Sequence, residues 1–260
     1  MCLANIKHQH VNELITVKAN PLTNSYYLNG KSYDINSFPI GSPVSGTVYG
    51  TLLNYQEDLL QMEEKFLQKP YDAPPNAPIL YIKPANTISY NGAPILMPKE
   101  IKTLEIGASL GVVIGKKAVA IKEGEAFNYI AGYTIVNDVS IPHDSFFRPA
   151  VPYKTRDGFC PIGPWIVEAK EIKDPNRLTI KIFVNEELQL EKHNYTLVRP
   201  IAKLLADITE FMTLDIGDTL LVGISTNSPQ VIIGDKVRIH IDQIGFLENY
   251  IVEEEKGWLP

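Results

Sequence analysis

The chain has 260 residues, 45% of them hydrophobic and 21% charged, with a formal net charge of −6. That is enough apolar material for one large core, or a core with a small appendage, and mixed charge without a lysine or arginine run argues against nucleic acid or a membrane surface as the main partner. No apolar stretch approaches the roughly 20 residues needed to cross a bilayer, MCLANIKHQH lacks the regions of a signal peptide, and Cys2 and Cys160 form neither a disulfide framework nor a C-x-x-C site, so a cytoplasmic protein is expected.

Residues 1 to 45 hold short strand-like pieces, LITVKA and SYYLNG, joined by turns and followed by the linker FPIGSPVSG. They read as a small β-rich N-terminal segment ahead of a main domain over residues 46 to 260. The main domain opens with the strand TVYGTLLN. A helix is predicted from Glu57 to Gln68, stopped by Pro70 and the extended YDAPPNAP. ILYIKP reads as a strand, and so does TLEIGASLGVVIGKK, in which Glu105, Gly107, Ser109 and Gly111 share one nearly bare face while Leu104, Ile106, Ala108, Leu110 and Val112 line the other. Glycine inside a strand marks close approach of a ligand or another backbone.

A short helix near Glu123 to Tyr129 and the strand AGYTIVNDV follow. LTIKIFV-NEE-LQLEK reads as a hairpin, and Pro200 opens a helix whose Ile201, Leu204, Leu205, Ile208, Phe211 and Met212 form one apolar stripe. DTLLVG, DKVRIHI and FLENYIV close the chain as strands. Many strands and few helices predict an α+β, mostly β fold, neither doubly wound nor a TIM barrel.

Polar residues inside apolar strands are informative, because burial is costly unless they are paired or used. Asn137 and Asp138 at the end of AGYTIVNDVS, Lys83 after ILYI, and Lys154, Arg156 and Asp157 in YKTRDGFCPIGPW fit that description. Each is read either as part of a buried ion pair or strand-end cap, or as a site residue. The five histidines are scattered without metal-site spacing, Cys160 between Phe159 and Pro161 reads as core filling, and there is no P-loop, G-x-S-x-G, H-E-x-x-H or G-x-G-x-x-G.

Taken in order, YIKPANT, LGVVIGK, YIAGYTIVNDVS, FFRPAVPYKTRDGFCPIGPW, EFMTLDIGDTLLVG and GDKVRI resemble the fumarylacetoacetate hydrolase family, from Gly46 to about Glu253. The resemblance implies a mixed β-sandwich or β-roll. It also implies chemistry on small oxo-dicarboxylates at a Mg²⁺ or Ca²⁺ ion held by three carboxylates, which would bind a 2-oxo acid and stabilise an enolate.

Here the family's E-x-E positions are Gly107 and Ser109, so Asp138 is the one implied metal ligand retained. The proton-transfer His and Glu positions hold Asp58 and Gln61. An expected arginine is represented by Pro142, and the G-T-P loop reads Gly223, Ile224, Ser225. Lys154 is kept as a catalytic position, and Lys83, Arg156, Gly223 and Ser225 are the implied substrate-binding residues.

VSIPHDSFFRP and KTRDGFCPIG resemble the metal-lacking N-terminal half of the two-domain decarboxylase/isomerase of 4-hydroxyphenylacetate degradation. That implies a subunit acting on 5-carboxymethyl-2-oxo-hex-3-ene-1,7-dioate and 2-hydroxyhepta-2,4-diene-1,7-dioate, as a homodimer or with a metal-bearing paralogue, with metal bound weakly or not at all by this chain. Two alternatives stand beside it. One is a non-catalytic partner or oxo-acid binding module, and the other a hydrolase with a metal site rebuilt from Glu105, Asp138 and Asp144 or Asp157.

Overall fold

The computed structural model describes residues 1–254 apart from His10, Asn12, Asp72 and 144–149. In chain order its strands begin with β1 (Cys2–Lys7), β2 (Leu14–Asn20), β3 (Ser25–Leu28), β4 (Lys31–Asp34), β5 (Val48–Leu52) and β6 (Ile79–Lys83). Next come β7 (Ile88–Ser89), β8 (Pro94–Met97), β9 (Leu104–Ile114), β10 (Ile130–Ser140) and β11 (Cys160–Glu168). The last are β12 (Thr179–Val184), β13 (Glu187–His193), β14 (Thr219–Leu221), β15 (Gln230–Val231), β16 (Lys236–Ile241) and β17 (Gly245–Glu253). The α-helices are α1 (Gln56–Gln61), α2 (Glu63–Phe66), α3 (Val151–Lys154) and α4 (Ile201–Thr209). The fold is α+β and mostly β, as the spacing of apolar runs predicts.

Among the described residues the strands form two sheets. The larger runs β4-β3-β2-β1-β11-β10-β9-β14-β5-β6, with β15 beside β9 and β7 beside β11; the smaller runs β13-β12-β16-β17-β8. The N-terminal strands extend the large sheet, since β1 pairs antiparallel with β11 through Ala4 opposite Val167. Trp165, fully buried on β11, ties the two sheets together by donating from Nε1 to the carbonyl of Ile244, in the turn between β16 and β17, at 2.7 Å.

Both faces of the large sheet are covered along its central strands β9, β10 and β11. Leu104, Ile106, Leu110 and Val112 enter the main core, as their alternation predicts. The bare face is also buried, against a second cluster that includes Val48, Val136, Cys160, Leu221 and Ile224. A Cβ on Gly111 would meet the methyls of Val136, Thr134 and Thr219 at 2.8 to 3.1 Å, so the glycine admits side chains from neighbouring strands.

Three elements depart from the sequence expectation. The helix predicted from Glu57 to Gln68 is two pieces, α1 and α2, parted at Met62, which turns inward with Phe66 to pack on Leu53. The stripe of α4 is buried through Ile208, but the helix ends at Thr209, whose hydroxyl bonds back to the carbonyls of Leu205 and Ala206, leaving Phe211 65% exposed. The hairpin turn is Asn185-Glu186 alone, both at positive φ, a pair whose twist suits two antiparallel strands, so Glu187 already belongs to β13.

Trp165→Ala should lower stability by about 3–5 kcal/mol, the range for emptying a large buried aromatic site. Urea unfolding measures it; an unchanged midpoint would show that the two sheets are held together elsewhere.

Candidate functional site

Register places the site. Gly107 of β9 lies directly opposite Asp138 of β10, Ser109 opposite Val136 and Glu105 opposite Ser140, so all six project from the second face of the sheet. At the sheet's end Tyr81 lies opposite Gly50 and Lys83 opposite Val48. Strands β6 and β10 are four steps apart in the strand order. At about 4.8 Å per step a flat sheet would separate them by roughly 19 Å. Instead Lys83 Nζ stands 2.8 Å from Asp138 Oδ1, so the sheet curls and its second face closes on itself.

The curl builds a buried cluster around one carboxylate. Lys154, at the end of α3, places Nζ 2.7 Å from Asp138 Oδ2, and the Tyr81 hydroxyl donates to the same oxygen at 2.5 Å. The contact of Lys83 with Oδ1 is ionic and lies outside hydrogen-bond geometry; its ammonium also donates to the carbonyl of Lys154. The Lys83 and Asp138 side chains are fully buried, and the Lys154 side chain is 10% exposed. Burial alone would push the Asp138 carboxyl up, but the Lys154 and Lys83 ammonium groups outweigh it and hold the carboxyl down at about 2. Burial raises the Tyr81 phenol well above its ordinary range, and the Asp138 charge adds to that, so Tyr81 stays a donor. Burial also pushes the Cys160 thiol up to about 12, consistent with core filling.

Tyr81 and Gly50 escaped the sequence reading. A Cβ on Gly50 would lie 1.9 Å from the Tyr81 ring, so the bare backbone is what lets the ring lie across β5, where it also sits 5.2 Å under the Lys154 ammonium. The usable signal was the period of two in ILYIK, which puts Tyr81 on the face of Lys83.

Other expected site residues lie elsewhere. Asp58, buried on α1, accepts from Thr226 Oγ1 at 2.9 Å and has Lys192 Nζ at 3.9 Å; burial raises its carboxyl. Gln61 Oε1 accepts from Asn227 Nδ2, which ties the 223–229 loop to α1. Gly223 donates to Ser109 Oγ at 3.4 Å, and Ser225 Oγ accepts from the Asn227 backbone at 3.3 Å. Arg156 is exposed, and Asp157 accepts from Asn86 Nδ2 at 2.6 Å. Asn137 projects to the opposite face from Asp138, its buried amide unpartnered among the described residues. Asp144 lies outside the described residues. A cavity of about 450 Å³ runs along α1 and α2, lined by Gln56, Leu59, Glu63, Phe66 and Val198 among others, and none of the Asp138 cluster lines it.

A divalent cation does not fit this donor set. Mg²⁺ and Ca²⁺ need about six or more oxygen ligands with carboxylates among them. Among the described residues no group of three His, Cys, Asp or Glu side chains comes together. Both oxygens of Asp138 already face cations. A Cβ on Gly107 would lie 2.6 Å from the Asp138 carbonyl oxygen and 2.9 Å from Ile224 Cγ2, so the position of a further ligand is filled. Glu105 is one register step beyond, accepting from Ser140 Oγ at 3.4 Å.

The family model for the fumarylacetoacetate (FAA) hydrolase C-terminal region matches residues 47–252. The chain is 38% identical over 213 residues to the 4-hydroxyphenylacetate degradation bifunctional isomerase/decarboxylase of Escherichia coli, covering 82% of this chain and 48% of that protein. It thus spans about half the length of that relative. It is 35% identical over 188 residues to the mitochondrial oxaloacetate tautomerase fahd2 of Xenopus laevis, covering 68% of this chain and 59% of the relative. In structure it is similar to 2-hydroxyhepta-2,4-diene-1,7-dioate isomerase from Mycobacterium marinum, with a TM-score of 0.80 and 24% identity over 98% of this chain and 100% of that one, a likeness of fold. Maleylpyruvate hydrolase from Sphingobium sp. SYK-6, solved with manganese and pyruvate, matches at a TM-score of 0.71 and 24% identity, over 86% of this chain and 78% of that one.

Two outcomes follow for the cluster. Asp138→Ala strands two buried ammonium groups and should lower stability by about 3–5 kcal/mol, read by urea unfolding. For acid, the folded carboxyl is depressed from 3.8 to about 2, so its contribution is fully present above pH 3.8 and is lost as pH falls through about 2. The difference, 1.8 pH units, corresponds to about 2 kcal/mol. Wild type should lose that extra stability over this window, and Asp138→Asn should not; parallel acid curves would refute the assignment.

Proposed function

Because the chain belongs to the fumarylacetoacetate hydrolase family, an enzyme family whose relatives here include isomerases and decarboxylases, we propose that it serves as a metal-lacking subunit of a cytoplasmic decarboxylase/isomerase of aromatic catabolism. Its substrates would be oxo-dicarboxylates of the class of 5-carboxymethyl-2-oxo-hex-3-ene-1,7-dioate and 2-hydroxyhepta-2,4-diene-1,7-dioate. The carrying observation is Asp138, held between Lys83 and Lys154 at 2.8 and 2.7 Å. A chain that keeps the family scaffold and its lysines, yet uses its remaining carboxylate internally, suits a role beside a metal-bearing paralogue that performs the chemistry. No helix among the described residues is long and apolar enough to cross a membrane.

In this reading the chain's own residues act as a scaffold. Lys83 and Lys154 fix Asp138, Tyr81 keeps water from it, and Asp58 and Gln61 anchor the 223–229 loop that brings Ile224 against Gly107. A second reading, an oxo-acid binding module without turnover, draws on the exposed tenth of the Lys154 side chain, an ammonium that a carboxylate could meet.

Co-expression with a paralogue that carries both E-x-E carboxylates should yield a stable complex burying about 2,000 Å² or more, as permanent assemblies do. Its decarboxylase or isomerase turnover should exceed that of the paralogue alone. Native mass spectrometry and steady-state assays test both points. A monomer that neither binds the paralogue nor changes its turnover would remove the subunit reading and leave the binding module.

A further inference from the structure

Asp58, in the first turn of α1, is fully buried, and its two carboxylate oxygens have unequal surroundings. Oδ1 accepts from Thr226 Oγ1 at 2.9 Å, whereas Oδ2 is buried without a hydrogen-bond partner. The charged and titratable groups around it are Lys192, Glu57 and Tyr55; the 223–229 loop brings none. Lys192 reaches across from β13, but its ammonium donates to Glu57 Oε2, lies 5.7 Å from the centre of the Tyr55 ring and comes no nearer to Asp58 Oδ1 than 3.9 Å. Glu57 adds a second negative charge on the same helix, and the Tyr55 hydroxyl is turned to Asn194 Oδ1 at 3.3 Å. One ammonium thus serves two carboxylates, and the buried one is the less well paired. A buried carboxylate in that position is stabilised by taking up a proton.

A proton placed on Oδ2 removes the buried charge and leaves Oδ1 to accept from Thr226, so the tie between α1 and the loop survives protonation while its desolvation cost disappears. We propose that Asp58 is a proton-operated latch: with a proton on Oδ2 it holds the 223–229 loop against α1, and on losing that proton it lets the loop loosen from the helix. The other ties of this loop join neutral groups, Asn227 Nδ2 to Gln61 Oε1 at 3.2 Å and Ser228 Oγ to the Ser225 carbonyl at 2.7 Å, and do not titrate. The latch bears on Ile224, which the same loop packs over Gly107 beside the Asp138 cluster. Its direction follows from burial, which lifts the folded carboxyl above 3.8. The stability it confers is therefore full below pH 3.8 and is lost as pH rises through the folded value. This device goes beyond the subunit reading and does not depend on it.

The test follows the purified full-length chain from about pH 4 to about pH 8 by thermal unfolding and by hydrogen exchange at the 223–229 backbone, corrected for the intrinsic pH dependence of exchange. Wild type should lose protection in this loop as pH rises, by up to tenfold for each pH unit that separates the folded titration from 3.8. Asp58→Asn keeps an acceptor for Thr226 and cannot ionise. Its loop should stay protected across the range, and it should melt above wild type at about pH 8, with the gap closing toward about pH 4. A variant that melts below wild type at about pH 8, or a gap that does not change with pH, would overturn the proposal. Lys192→Met, which takes away the ammonium, should carry the wild-type step to higher pH; a step that stays or moves down would place the proton elsewhere. If neither variant folds, wild type still decides, because loop protection that does not fall over the range removes the latch. Failure of co-turnover with a paralogue would remove the subunit reading and leave this result untouched, so the two fail separately.

Discussion

A carboxylate can sit in the middle of a curled sheet only if cations come with it, and the Lys83–Asp138–Lys154 contact is the constraint around which this structure is arranged. Each ammonium arrives from a different part of the chain. Lys83 comes from the last strand of the large sheet, and Lys154 from a one-turn helix after β10. For both to reach Asp138, strands four places apart must face one another, and the sheet has to curl. The bare residues of β5 and β9 make that possible: Gly50 yields to the Tyr81 ring and Gly107 to Ile224 and the Asp138 carbonyl. An isolated buried charge would have shifted toward its neutral form; here the charged form is favoured, because both oxygens have partners.

The relatives give this arrangement its meaning. The fold is shared with proteins whose names include an isomerase, an oxaloacetate tautomerase and a hydrolase solved with manganese and pyruvate. In this chain one aspartate at that place on the sheet is met by two ammonium groups of the chain itself. Ile224 and Tyr81 pack beside it, so the ion cluster lies against an apolar cluster of the core.

The second polar group, around Asp58, obeys different physics. Its carboxylate is fully buried, with a hydroxyl donor on one oxygen and a lysine at the edge of ion-pair range, so burial dominates and the carboxyl rises. Two carboxylates in one chain thus shift in opposite directions, one under two close ammonium groups and the other under desolvation. The 223–229 loop links them, reaching Asp58 through Thr226 and the Asp138 neighbourhood through Ile224.

Much of this was written in the sequence. Alternation in TLEIGASLGVV determined which residues of β9 face the main core, because the side-chain period of a strand is two and burial of one face is strongly favoured. The resemblance of YIKP, VVIG, NDVS and YKTRDGFCPIGPW identified the family, since those stretches hold the glycines, prolines and polar residues that the scaffold needs. Asp138, Lys83 and Lys154 stood out as polar residues in apolar runs. That they belong to one ion cluster was decided by tertiary structure alone: 55 residues separate Lys83 from Asp138, and only the curl of the sheet brings them to 2.8 Å. The same holds for Gly50, whose bareness is explained by a tyrosine 31 positions later, and for the break at Met62, where packing on Leu53 overrode a helical pattern. Local periodicity fixes which way a side chain points; which partner it then meets depends on strand order and curvature, and those are set by the whole chain.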